Sequence, residues 1–157
     1  MLLSLAVLLV PVGILFGLYV TVFSGSAPIR VDPSDTWAAA QRDAGFTVLQ
    51  PQGLPAKWTV TSATFATGTV RVGYVTPSGS GLQLVETGAP ADQFLPAELG
   101  QDARPGNLVT IGGRQWRAYP SVRSGDRALV LVDDGRIVVV IGSANDDDLR
   151  TLAGALH

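Results

Sequence analysis

The stretch RALVLVDDGRIVVVI, residues 127–141, decides the fold class. Two apolar runs, Arg127 to Val132 and Arg136 to Ile141, flank Asp133-Asp134-Gly135. An Asp-Gly pair between β-branched runs is a strong short-range signal for an antiparallel hairpin. Strand alternation sends Leu129 and Leu131 one way and Val130 and Val132 the other; Ile137, Val139 and Ile141 alternate with Val138 and Val140 in the same manner. Both faces are apolar. A hairpin with one wet face would alternate with polar residues, so the second face also needs a cover. Val130, Val132, Val138 and Val140 are therefore read as a candidate partner or ligand face. Its cover is expected to be helix one with a broken helix, a curled part of the sheet around a small pocket, or another protein.

Working outward, Asn145 is placed to cap a helix whose first positions are Asp146, Asp147 and Asp148, negative charges at the positive end of the helix dipole. Leu149, Leu152, Ala153 and Leu156 then share one helical face, expected to fold back onto the sheet. On the other side of the hairpin, Leu108 to Ile111 and Gln115 to Tyr119 flank Gly112-Gly113, a second strand pair. Trp58 to Ala66, Thr69 to Val75 and Leu82 to Glu86 read as a three-stranded meander. Between the meander and the glycine pair, residues 89–100 read as a helix broken by Pro96. Asp32-Pro33 opens a helix over about 33–44, with Trp37, Ala40 and Ala44 facing inward and Gly45 as the stop. The fold class that results is α+β: a mainly antiparallel sheet of five to seven strands packed by N- and C-terminal helices.

The first 23 residues, MLLSLAVLLVPVGILFGLYVTVF, contain no charged side chain. At about 1.5 Å per residue such a run covers the ~30 Å hydrocarbon layer with some tilt. It is longer than the apolar core of a cleaved signal peptide, and the best cleavage site, Gly25-Ser26-Ala27, is followed by Pro28. The chain is thus expected to comprise a single-pass membrane anchor at 1–23, with Leu2, Leu9, Pro11, Gly13, Gly17 and Tyr19 in it, a linker at 24–30 and one domain at 31–157. Pro11 should bend the anchor. Gly13 and Gly17 have the spacing of a close helix pair, which would make a homodimer, although glycine is common in membrane helices without one. No basic residue precedes the run and Arg30 and Arg42 follow it, which taken literally would leave the domain in the cytoplasm. An apolar run that opens at Met1 with no basic flank also reads as a chain lacking its natural start.

With 11 basic and 13 acidic residues and no Lys/Arg tract, the composition implies no nucleic-acid surface. The absence of cysteine excludes disulfides, thiolate catalysis, Cys-ligated metals and a cysteine-linked lipid. The single histidine, His157, is at the chain end, where fraying would defeat a general base. Asp133, Asp134 and Asp146 to Asp148 are adjacent carboxylates, but turn formation and helix capping account for them. Gly79-Ser80-Gly81 precedes no helix, as a phosphate-binding loop would. No catalytic, cofactor-binding or metal-ligating residue is assigned. Glu86 is the one unusual carboxylate, since alternation sets it beside Leu82 and Leu84. It is expected to emerge into solvent at the strand end, or to pair with Arg71 or Arg117. Trp58 and Trp116 are expected in the core.

The order of motifs resembles a known family. An apolar anchor, Pro28-Ile29-Arg30-Val31-Asp32-Pro33, Gly53-Leu54-Pro55 with Trp58, Arg71-Val72-Gly73-Tyr74-Val75-Thr76-Pro77, and Gly112-Gly113 with Trp116 are similar to the actinobacterial domain-of-unknown-function family 4245. The resemblance spans essentially the whole chain. It implies a single-pass envelope protein with its small domain outside the cytoplasm, although members carry a basic N-terminal stretch that this sequence lacks. It supplies no catalytic residues. The function expected is a non-enzymatic envelope module in the cell membrane that binds another envelope component, with capture of a lipid or other apolar small molecule as the alternative.

Overall fold

Every alternating run between residues 59 and 142 becomes a strand of one antiparallel sheet. The computed structural model describes residues 29–133 and 135–157. Its strands are β1 (Thr59–Ala66), β2 (Thr69–Val75), β3 (Gly81–Thr87), β4 (Leu108–Ile111), β5 (Arg114–Tyr119), β6 (Arg127–Asp133) and β7 (Arg136–Gly142). Helices α1 (Ser34–Asp43), α2 (Ala91–Leu99) and α3 (Asp146–Gly154) complete an α+β fold. The expected anchor at 1–23 and most of the linker lie outside the described residues, as does Asp134. Among the described residues no helix is long and apolar enough to cross a membrane.

The strand order is β1-β2-β3-β7-β6-β5-β4. Two meanders, β1 to β3 and β4 to β7, join where β3 pairs with β7, Leu84 opposite Val140 and Glu86 opposite Val138. The connection from β3 must travel from the middle of the sheet to its far edge, and α2 lies on that crossing.

Three local signals act as expected. Asn145 Oδ1 accepts the Asp148 N–H at 2.8 Å and caps α3. Asp32 Oδ1 accepts both the Ser34 N–H (2.9 Å) and its hydroxyl (2.6 Å) at the start of α1. The β6–β7 hairpin runs in register from Arg127 opposite Gly142 to Asp133 opposite Arg136. Pro96 does not break α2, whose nine residues are continuous. The one intrahelical bond it deletes would have ended on Asp92, an exposed residue whose carbonyl water can satisfy.

The two faces of the sheet are closed differently. On the first, Leu129, Leu131, Val138 and Val140 pack in one cluster with Val70, Val72, Leu84 and Trp116, beneath Trp37 and Ala40 of α1, Val48 and Leu49, and Leu149, Leu152 and Ala153 of α3. On the second, Val85, Val130, Ile137, Val139 and Ile141 meet Leu99, Phe94 and Leu95 of α2 with Val122. Helix one therefore shares the first face with the terminal helix, and the proline-containing helix covers the second face without it. The chain end is also tied rather than frayed. Gln50 and His157 exchange backbone hydrogen bonds (3.1 and 3.2 Å), Gln52 N–H donates to Ala155 O (2.8 Å), and Arg114 Nη1 donates to Leu156 O (2.9 Å).

Candidate functional site

The four valines read as one partner face do not share a face. Val130 stands opposite Val139 and Val138 opposite Leu131, so Val130 and Val132 point to the second side while Val138 and Val140 point to the first. Val138 and Val140 are fully buried under the helices, Val130 is 3% exposed beneath α2, and only Val132, at 60%, reaches solvent. Grouping by strand parity fails across a hairpin because register, not residue number, decides which positions align.

Two charged centres lie where neither was expected. The first is Glu86, whose strand parity did place it among Leu82 and Leu84, but which is completely buried rather than emerging. The 46–50 segment crosses above it: Leu49 N–H donates to Glu86 Oε2 at 3.0 Å, and Arg136 Nη1 donates to Thr47 O at 2.5 Å. Neither Arg71 nor Arg117 reaches it. Arg71 pairs with Glu98, and Arg117 bonds the Gly106 carbonyl at 3.2 Å. Burial pushes the Glu86 carboxyl up to about 7, against the opposing pull of the Leu49 N–H and the Arg136 charge. Burial, with the Glu86 charge behind it, likewise raises the Tyr74 phenol. Asp133 takes Arg136 Nη2 at 3.1 Å, leaving Arg136 Nε and Glu86 Oε1 buried without partners among the described residues. This centre pins a connecting segment onto the sheet.

The second centre borders solvent. Glu98, on the inner side of α2, receives a two-pronged contact from Arg71 on β2 (Nη1 to Oε1 3.0 Å, Nη2 to Oε2 2.6 Å) and a third bond from Arg123 Nη2 at 3.0 Å. Arg71 Nη1 also reaches Gln83 Oε1 at 3.2 Å. Burial opposes the Glu98 charge, but the hydrogen bonds and charge of Arg71, joined by Arg123, outweigh it and hold the carboxyl below its ordinary range. The carboxylate is buried, while both guanidinium groups remain partly in solvent. Arg123 is positioned by a tight turn in which Val122 N–H donates to Asp126 O (2.9 Å), with Ser124 at φ 61. Gly100, at φ 100, ends α2 directly beside the Arg123 backbone, in a conformation that would strain any side chain.

Beside this cluster a groove of about 390 Å³ opens over the ends of β2, β3 and β7, with Gln83, Arg123, Asp126 and Ser143 in its walls. Beyond it the second face of β1 carries Ser62 and Thr64, exposed and uncovered by any helix among the described residues. A smaller cavity between β5, β6 and α3 holds about 100 Å³ and is bordered by Arg127, Leu149 and Arg150.

The adjacent aspartates at the start of α3 hold structural positions. Asp146 approaches Arg127 at 3.5 Å, and the three aspartates lie in the first turn of α3. Gly79 and Ser80 belong to a closed turn in which Thr76 N–H donates to Ser80 O at 3.0 Å. Among the described residues no three His, Cys, Asp or Glu side chains gather as a metal site. Trp58 and Trp116 are both in the core.

A family whose description reads "Protein of unknown function (DUF4245)" matches residues 1–156. The chain belongs to the DUF4245 family. Neither a curated protein nor a solved structure matches it. For DUF4245, the motifs quoted above acquire positions: Arg71 and Tyr74 of the Arg71–Pro77 run supply one prong of the Glu98 cluster and one core phenol, and Trp116 after Gly112-Gly113 is buried in the first face.

Proposed function

We propose that this DUF4245 chain is a single-pass actinobacterial envelope protein whose domain stands outside the cytoplasm and binds another envelope component through the uncovered half of its second sheet face. The observation that carries the reading is the Arg71–Glu98–Arg123 cluster. A buried carboxylate orients two partly exposed guanidinium groups at the edge of an open groove, while the second face of β1 beside them carries no helical cover among the described residues. Oriented arginines beside hydroxyl-bearing strands suit a polar partner surface. The uncharged run at 1–23 supports the tether, and the resemblance in motif order supports export. A non-enzymatic role fits the carboxylates, because Glu86 and Glu98 are each engaged in holding one segment of chain against the sheet. The cavity between β5, β6 and α3, of about 100 Å³, is small against the several hundred Å³ of ordinary ligand pockets, so the alternative, an apolar small molecule, would have to bind elsewhere.

Site-specific photocrosslinkers at Thr64 and at Thr151, an exposed position on α3, test this in intact cells. One discrete adduct from Thr64, lost with Arg123→Glu and absent from Thr151, is expected. Identical adducts from both positions, or none from Thr64, would overturn the reading.

A further inference from the structure

The β1 edge of the sheet has a feature that partner binding on the second face leaves unused. Ile29 is 83% exposed, the most exposed large apolar side chain among the described residues. Two residues later Val31 N–H donates to Val60 O at 2.9 Å, so the chain reaches the domain along the outer side of β1. There a groove of about 490 Å³ is bounded by Arg30, Val31, Asp32, Pro33, Trp58 and Val60. Its walls are mostly apolar. Arg30 is exposed at the rim, and Lys57, next to Trp58, is exposed in the same neighbourhood.

We infer that this groove rests on the polar surface of the bilayer that anchors the chain, with the β1 edge toward the membrane and the β4 edge away from it. The inference depends on the anchor reading above. Residues 24–28 can span at most about 18 Å, so Ile29 stays close to the end of the apolar run. An apolar wall with Arg30 at its rim and the exposed Lys57 nearby matches the headgroup zone, where the apolar stems of Arg and Lys lie along the boundary and their charged ends reach phosphate, while Trp58 forms the buried floor. Asp32 lies in the same wall, its carboxylate engaged by Ser34, so the contact does not require anionic lipid. Seven strands at about 4.8 Å put the β4 edge roughly 29 Å from β1, which gives the proposed orientation a ruler.

The chain lacks cysteine, so single thiols report cleanly. Full-length Ala56→Cys and Thr110→Cys, each carrying a small fluorophore, are reconstituted in phosphatidylcholine vesicles containing a headgroup nitroxide lipid. Ala56 precedes Lys57 and Trp58, whereas Thr110 is on β4. At least twofold stronger quenching at Ala56 is expected, and it should persist when ten Gly/Ser residues are inserted after Ser26. Equal quenching at the two positions, or a contrast that vanishes with the longer linker, overturns the docking. Self-quenching at Ala56 that rises with protein density, without nitroxide quenching, would assign the groove to a second copy and overturn it as well. Alkaline extraction of the same vesicles separates the two readings: release of the protein defeats the anchor, whereas retention with equal quenching defeats only the docked orientation.

Discussion

On the first face of the sheet, α1, the 46–50 segment and α3 meet over both meanders, and the apolar side chains of β2, β3, β6 and β7 are sealed from edge to edge. On the second, the only cover among the described residues is the connection from β3 to β4 and its neighbours, so burial is confined to the strands beneath α2 while Ser62, Thr64 and Val132 are exposed. The first face is closed by the two ends of the domain and the second by its middle. A crossover can shield only the strands it passes over. The part of the sheet it misses is exposed among the described residues, and its border is marked by the Glu98 cluster.

This contrast is open to measurement. Leu152 and Leu99 are both almost fully buried, one on each side. Leu152→Ala should cost toward the upper end of about 2–5 kcal/mol in chemical denaturation, and Leu99→Ala toward the lower, because loops beside α2 can settle into the space more readily than the interior of the first face. Equal losses would show that the second cover is as rigid as the first.

A smaller effect belongs to the first face. The Glu86 carboxyl binds its proton more tightly in the folded chain, its pKa standing at about 7 against an ordinary 4.5. Its contribution to stability is thus full below pH 4.5 and is lost as pH rises through about 7, on the order of a few kcal/mol across that window. Glu86→Gln should flatten this part of the pH–stability profile. An unchanged slope would mean that the Arg136 charge, not burial, governs the group.

On the second face, Glu98→Gln weakens the hold on two guanidinium groups and should cost about 1–3 kcal/mol, with increased solvent exchange at the Arg123 turn. The smallest pair sits on one strand. Val130→Thr should lose about 1–3 kcal/mol by burying a hydroxyl, whereas Val132→Thr, at 60% exposure, should change stability by less than about 0.5 kcal/mol. Comparable losses at both positions would erase the boundary that these two valines define.

Much of the architecture was legible because it rests on local chemistry. Asp-Gly at the last hairpin, Asn145 before three aspartates, and the alternation from Val70 to Tyr74 each name their element without outside help. The centres were not legible, since each joins residues far apart in sequence: Leu49 with Glu86, Thr47 with Arg136, Arg71 with Glu98. Parity did mark Glu86 as inward, and the same count from Val138 marks Arg136, the signal that was overlooked. What parity cannot convey is that a connecting segment would bring an N–H to that carboxylate. Nor can it align two strands, which is why four valines taken as one surface lie on opposite sides.

The antiparallel bridge between Pro51 and Leu156 has a consequence for how the molecule is made. The segment that roofs Glu86 is synthesised early, yet its outer support, with the hydrogen bonds from Gln50 and Gln52, consists of the last residues described. A chain synthesised N-terminus first would have its sheet assembled but its roof unsupported until Leu156 emerged. Stalling synthesis with the last few residues still inside the ribosome should therefore leave a protease-sensitive species cut near Gly53, and release should convert it to the resistant form in one step.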